Sequence, residues 1–351
     1  MQRGGRGADL LHNCAMQHTS LIELSRGGTL ENQHFGSIAV VDTTGHLLAF
    51  AGDPEWTTFT RSTLKALQAL PFLEDGGAEH FGFDSEQIAL MCASHNGEER
   101  HAAIAERMLG QAGLGVGALR CGCHVPLRFS FFDQAPPAGQ TFDARYNNCS
   151  GKHAGFLAYC VQHGLSRDDY TEVDHPLQQA VRRDVARAVG VPAQALKRGI
   201  DGCSAPNYAM PLSRLAYGYA RLAQGAADPE FGGSFSRLFD AMTAHPDVVS
   251  GAGRNDLDLM RAGSGDWVSK VGADGVQVVA SRSRGQAFAI KIIDANKQAL
   301  FAATIETLEQ LGWLNDAQRE ALLPWRARQL VNARGLPVGE RRAVFRLQEA
   351  S

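Results

Sequence analysis

Ser62-Thr63-Leu64-Lys65 occurs once in this chain of 351 residues, and the rest of the sequence is best ordered around it. On a helix with 3.6 residues per turn, a serine and a lysine three apart share one face. A neutral lysine amine there can take the serine Oγ proton and create a nucleophile. The chain has nineteen serines and six lysines, so chance supplies about 0.3 such tetrads. The competing reading is a serine near an ordinary solvated lysine on an exposed helix, and neighbouring segments weigh against it.

Class A β-lactamases and penicillin-binding proteins follow their Ser-x-x-Lys with a Ser-x-Asn and then a Lys-Thr-Gly on a late strand. Here Ser94-His95-Asn96 follows Ser62 by 32 residues, and Lys270-Val271-Gly272 comes after the apolar Trp267-Val268. Taken singly, Ser94 reads equally well as a helix cap and Lys270 as a strand-end charge. In this order the three fragments outline an amide-cleaving site.

A hydrophobic content of 44% with 8% aromatic residues lets the chain bury a large core, as one big domain or two intimately packed ones. The formal charge is −3 and no Lys/Arg run occurs, which argues against a nucleic-acid groove or a membrane patch and for a small-molecule ligand. No window approaches the roughly 18 apolar residues of a membrane span. Leu10-Leu11 is interrupted at once by His12 and Asn13, so no signal peptide is expected. Seven cysteines without an even framework suit a reducing cytoplasm, as free thiols or metal ligands.

Residues 1–34 carry Gly4, Gly5, Gly7, Gly27 and Gly28 with little periodicity, and are expected to be largely a weakly ordered extension before one catalytic unit at 35–351. Strands are expected at 36–52, as a hairpin turning through Asp42-Thr43-Thr44-Gly45, and in three runs within 267–293. Between them, over about 60–260, the periodicity is helical, starting with Ser62 to Leu73, and a further helix runs from about Lys297. The expected fold class is therefore α/β (α+β): an antiparallel sheet built from both chain ends, flanked by helices, with a helical lobe inserted. That is the serine β-lactamase-like, penicillin-binding-protein-like layout. The Pro-containing stretch from Val125 to Asn148 is too long for a plain connector and reads as a lid or binding loop.

Asn148-Cys149-Ser150-Gly151-Lys152-His153 opens a helix, whose positive end would stabilise a Cys149 thiolate. Asp201-Gly202-Cys203 reads as a tight turn able to reach the same cleft. Cys149 and Cys203 are candidate zinc ligands with Lys152 or His153 as a third donor, or else two small buried thiols. Cys121-Gly122-Cys123-His124 is a weaker metal candidate, because alternating residues of a strand face opposite ways. Cys92 and Cys160 read as core.

With these segments in hand, the chain resembles the rhizobial-type L-asparaginases from about Arg26 to Phe345. The most specific stretches are Arg61 to Lys65, Met91 to His95, Asn148 to His153, Asp201 to Cys203 and Lys270 to Asp274. The resemblance implies a Ser62–Lys65 pair, a second Ser94–Lys270 pair, and Zn2+ held by Cys149, Lys152 and Cys203 with Asp201 on a metal-bound water. Arg61, His95, Asn96, His153 and Asp201 are the candidate substrate-binding residues. It also implies a homodimer hydrolysing L-asparagine to L-aspartate and ammonia. A glutaminase is the near rival, since one methylene is worth only about 1–3 kcal/mol of discrimination. A β-lactamase or peptidoglycan peptidase is disfavoured by Val271 in place of the motif's threonine, and a non-catalytic amino-acid or metal-binding protein is the rival of another class.

Overall fold

The computed structural model describes residues 18–326 and 328–350. The chain enters as β1 (Thr19–Arg26), turns through Gly27-Gly28 and returns as β2 (Thr29–Asp42). Both turn glycines have positive φ, the requirement of a two-residue hairpin turn whose twist matches its strands. Then follow β3 (Leu47–Ala51), β4 (Thr57–Phe59), β5 (Lys197–Ile200), β6 (Pro206–Pro211), β7 (Trp267–Gly272), β8 (Val276–Ser281), β9 (Gln286–Ile292), β10 (Gln329–Val331), β11 (Pro337–Ala343) and β12 (Gln348–Glu349). The main antiparallel sheet has the order β10-β11-β1-β2-β9-β8-β7, with β3 joined to β2 and to β12; β4-β6-β5 form a small sheet beside the segment that carries Ser62.

The extension expected up to residue 34 is corrected here. Residues 19–34 are paired strand, with Leu21 and Ile22 fully buried, because the two glycines make a tight turn and not a disordered run. The first seventeen residues lie outside the described residues. The hairpin at Asp42 and the strands between 267 and 293 form as expected, pairing Val41 with Leu47 and Trp267 with Ser281.

Side chains alternate across a strand, and this sheet is apolar on both faces. Ala39 and Val41 of β2, Val276 and Val278 of β8, and Ala287 and Ala289 of β9 face the helical lobe. Ile38, Val40, Phe288 and Ile290 face the opposite core, under the helix Lys297–Gln310. The lobe side is closed by the helix Leu212–Gln224, which buries Leu212, Leu215, Ala216, Tyr219 and Ala223 at helical spacing against β2, β8 and β9. The architecture is thus a mixed α/β fold: a curled antiparallel sheet from both chain ends, flanked by helices, with a helical lobe between.

Candidate active site

The segment carrying Ser62 leaves β4 and enters a 3₁₀ turn, Arg61–Leu64, before α-helix begins at Lys65. The continuous helix expected from Ser62 to Leu73 is therefore broken into short turns, with Pro71 near the start of the piece Leu70–Glu74. Arg61 has φ +50, a left-handed conformation that costs a non-glycine residue roughly 1–2 kcal/mol. Asn207 holds it there, its Oδ1 accepting from Arg61 N at 3.0 Å and its Nδ2 donating to Arg61 O at 3.0 Å. On the other side β7 packs so tightly that a Cβ on Gly272 would lie 2.9 Å from Thr60 O. This close approach is why the Lys-x-Gly fragment ends in glycine.

Ser62 and Ser94 meet in the cleft, Ser94 Oγ donating to Ser62 Oγ at 3.3 Å, and Asn148 Nδ2 donates to Ser94 Oγ at 2.9 Å. Lys65 is buried, and its Nζ donates to Ala93 O at 2.6 Å and Asn148 O at 3.1 Å. Lys270 is fully buried, with Nζ 3.0 Å from Val271 O and 3.8 Å from Asp256 Oδ2. A carboxylate at that distance favours the ammonium by about 4 kcal/mol at an effective dielectric of about 20. Burial nevertheless wins and draws the Lys270 pKa down to about 7. Asp256 is fixed by Ser269 Oγ at 2.7 Å, Val271 N at 2.9 Å and Gln277 Nε2 at 3.0 Å.

Ser62, Ser94, Asn148, Phe131, Arg254 and the turn after β7 enclose a cleft of ≈ 190 Å³. Phe131 comes from the long loop expected to cover the site, in its short helix Leu127–Phe131. Arg61 and Asp201 lie in an adjoining recess, where Arg61 Nε donates to Asp201 Oδ1 at 2.9 Å and the guanidinium also pairs with Asp274. The other expected substrate contacts are placed elsewhere. His95 is buried, accepting from Gly97 N at Nδ1, so its Nε2 carries the hydrogen donated to Ser150 Oγ; burial holds its pKa well down. Asn96 accepts from Arg254 and donates to Ala252 O, and His153 is buried against Tyr170 OH at 2.7 Å. All three are engaged by the protein's own groups and stand behind the cleft wall.

The zinc expectation is overturned. Among the described residues no three His, Cys, Asp or Glu side chains gather as a metal site. Cys149, the N-cap of the helix Ser150–Gln162, donates to Cys203, and Lys152 Nζ lies 3.1 Å from Cys203 Sγ. These two contacts draw the Cys203 pKa down, and the Cys149 pKa is pushed up by the same hydrogen bond. Burial opposes charge on Lys152, but the Cys203 and Cys149 sulfurs outweigh it and raise its pKa. Two sulfurs fall short of the four donors zinc takes. The trio closes instead on itself. Cys121 and Cys123 lie apart from it, their thiols directed at Ala144 O and Phe142 O.

Asn148, Asp256 and Arg254 were not singled out from the sequence. Asn148 heads the Cys149 motif and Arg254-Asn255-Asp256 follows two glycines, so composition marks both as turns; nothing local connects them to Ser94 or Lys270.

A cleft carrying two serines and two buried lysines, where an antiparallel sheet meets a helical lobe, is equipped to cleave an amide. The model of the L-asparaginase II family matches residues 22–343. The chain belongs to that family, and as an amidohydrolase of it performs L-asparaginase-type hydrolysis. Among solved structures it is similar to a β-lactamase from Mycobacterium bovis, at 12% identity and TM-score 0.35, covering 78% of this chain and 94% of that one. A class C β-lactamase mutant matches at 12% identity and TM-score 0.37, over 77% and 90%. Simvastatin synthase from Aspergillus terreus matches at 10% and TM-score 0.28, over 76% and 90%. At such scores these likenesses add nothing to what the sheet order itself shows. A search of curated proteins finds no match. No helix among the described residues is long and apolar enough to cross a membrane.

Proposed function

We propose that Ser62 is the nucleophile of this asparaginase and that L-asparagine is its substrate, converted to L-aspartate and ammonia through a β-acyl-enzyme. The observation that carries this reading is the contact of Ser62 and Ser94 hydroxyls in a cleft backed by two buried lysines. A neutral amine has two N–H donors and one lone pair. The carbonyls of Ala93 and Asn148 occupy two donors of Lys65, which suits the remaining position to take the Ser62 proton once that hydroxyl turns from Ser94. Ser62 Oγ then bonds to the amide carbon. The carbon–nitrogen bond breaks as Lys270, with a pKa of about 7, delivers a proton to the departing nitrogen through the Ser94 hydroxyl. Water frees L-aspartate by the reverse proton movement.

Six free cysteines among the described residues support a reducing compartment such as the cytoplasm, and two-fold pairing of copies is the commonest assembly for such an enzyme. The deciding experiment measures ammonia released by the purified protein from L-asparagine and L-glutamine side by side. Turnover of asparagine with a clear preference over glutamine is expected. Release from glutamine alone would move the substrate to the longer amide, and release from neither would overturn the reading.

A further inference from the structure

Two cations at one end of the cleft make no salt bridge among the described residues. Arg254 is 6% exposed, yet no carboxylate pairs with its guanidinium among the described residues. Only its Nη1 is used, donating to Asn96 Oδ1 at 3.0 Å and Ser94 O at 3.3 Å. The guanidinium carbon lies 4.1 Å from the centre of the Phe131 ring, and Lys297 Nζ lies 5.0 Å from the same ring. Lys297 also lines the cleft and pairs with no carboxylate among the described residues. A desolvated guanidinium is costly unless a charge partner joins it, and five N–H groups in a fixed fork fit a carboxylate bidentately. The nearest acid, Asp256, is already committed to Ser269, Val271 and Gln277.

We propose that Arg254 and Lys297, set against Phe131, form the subsite that receives the α-carboxylate of the substrate and so restricts the enzyme to amides of free α-amino acids. The proposal rests on the asparaginase reading above and adds which end of the substrate is recognised. Arg254 shares Ser94 with the reacting centre through its bond to Ser94 O, so a carboxylate bound there leaves the side-chain amide one short reach from Ser62. Phe131 shields the ion pair from water, which strengthens it.

The test compares wild type, Lys297→Met and Arg254→Lys on L-asparagine and on 3-aminopropanamide, the same amide without the α-carboxylate. Loss of a charge-assisted hydrogen bond implies a rise in KM for asparagine of about tenfold to hundredfold for Arg254→Lys, and about threefold to tenfold for the exposed Lys297→Met. The wild-type preference for asparagine over the truncated amide should shrink in step. Equal losses on both substrates, or an unchanged KM for asparagine in Lys297→Met, would overturn the subsite. Calorimetric binding of L-aspartate against β-alanine in the same proteins keeps the test independent of turnover. Weaker aspartate binding with unaltered β-alanine binding supports the subsite even if hydrolysis proceeds by another nucleophile, and equal binding of the two by wild type rejects it.

Discussion

Ser62 and Lys65 stand three residues apart, but the hydroxyl and the amine are oriented by distant groups: Asn207 clamps the residue before the serine, and Ala93 and Asn148 carbonyls hold the amine. Replacing Ser62 by alanine removes the atom that bonds to the amide carbon, so ammonia release should fall by about 10³-fold or more with the melting temperature preserved. Retention of near wild-type turnover would transfer the nucleophile's role to Ser94. The pH dependence follows from Lys270. Burial lowers its pKa to about 7, and it must carry the proton that it delivers to the departing nitrogen, so kcat/KM should fall as pH passes upward through about 7. Asp256 favours the charged form, so Asp256→Asn should move that fall to lower pH, and a profile that still rises above about pH 8 would rule out Lys270 as the proton donor. Ser62 and Lys65 were legible from their spacing, and Ser94 and Lys270 from the order in which the Ser-x-Asn and Lys-x-Gly fragments follow it. Asn148 and Arg254 were not, since they reach Ser94 across 54 and 160 residues of chain. The zinc reading failed because spacing along the chain cannot count the donors that gather in space.

Among the elements, β7 does two jobs: it carries Lys270 inward and lays Gly272 against the 3₁₀ turn of Ser62. In Gly272→Ala the new methyl would meet Thr60 O at 2.9 Å and Thr63 Cγ2 at 3.3 Å. Backbone cannot yield as a flexible side chain does, so the turn must shift. A stability loss of about 1–3 kcal/mol is expected, together with a fall of about 10²-fold in kcat from misplacing the nucleophile. An unaltered kcat would show that the turn tolerates displacement. The strands of β7, β8 and β9 were legible because each is an apolar run bounded by glycine or charge. β1 was missed because its exposed residues and flanking glycines resemble a tail, and because Leu21 and Ile22 acquire meaning only beside β11, more than three hundred residues later.

In the whole molecule the sheet separates two cores, and the second is closed by elements from both chain ends: β1 with Leu21 and Ile22, and the helix Lys297–Gln310. Burying each of those β1 side chains contributes about 1.5–3 kcal/mol against a net stability of about 5–15. Leu21→Ser with Ile22→Ser should therefore lower the melting temperature sharply or leave the protein insoluble, measured by calorimetry and by the soluble fraction on expression. An unchanged melting temperature would mean that residues 19–34 are the dispensable extension their composition suggests. The overall layering was legible from strands at both ends and helices between; how the ends pair was not, because sheet edges choose partners by packing and carry no sequence label. The same pairing makes birth order consequential. A ribosome adds about 5–20 residues per second, so roughly 10–40 s separate the emergence of Ser62 from that of Lys270, and β11 arrives later still. Through that interval the nascent chain holds Ser62 without Lys270 and a central strand without its neighbour, so the cleft cannot be assembled until β7 has emerged, nor the sheet completed until β11 has.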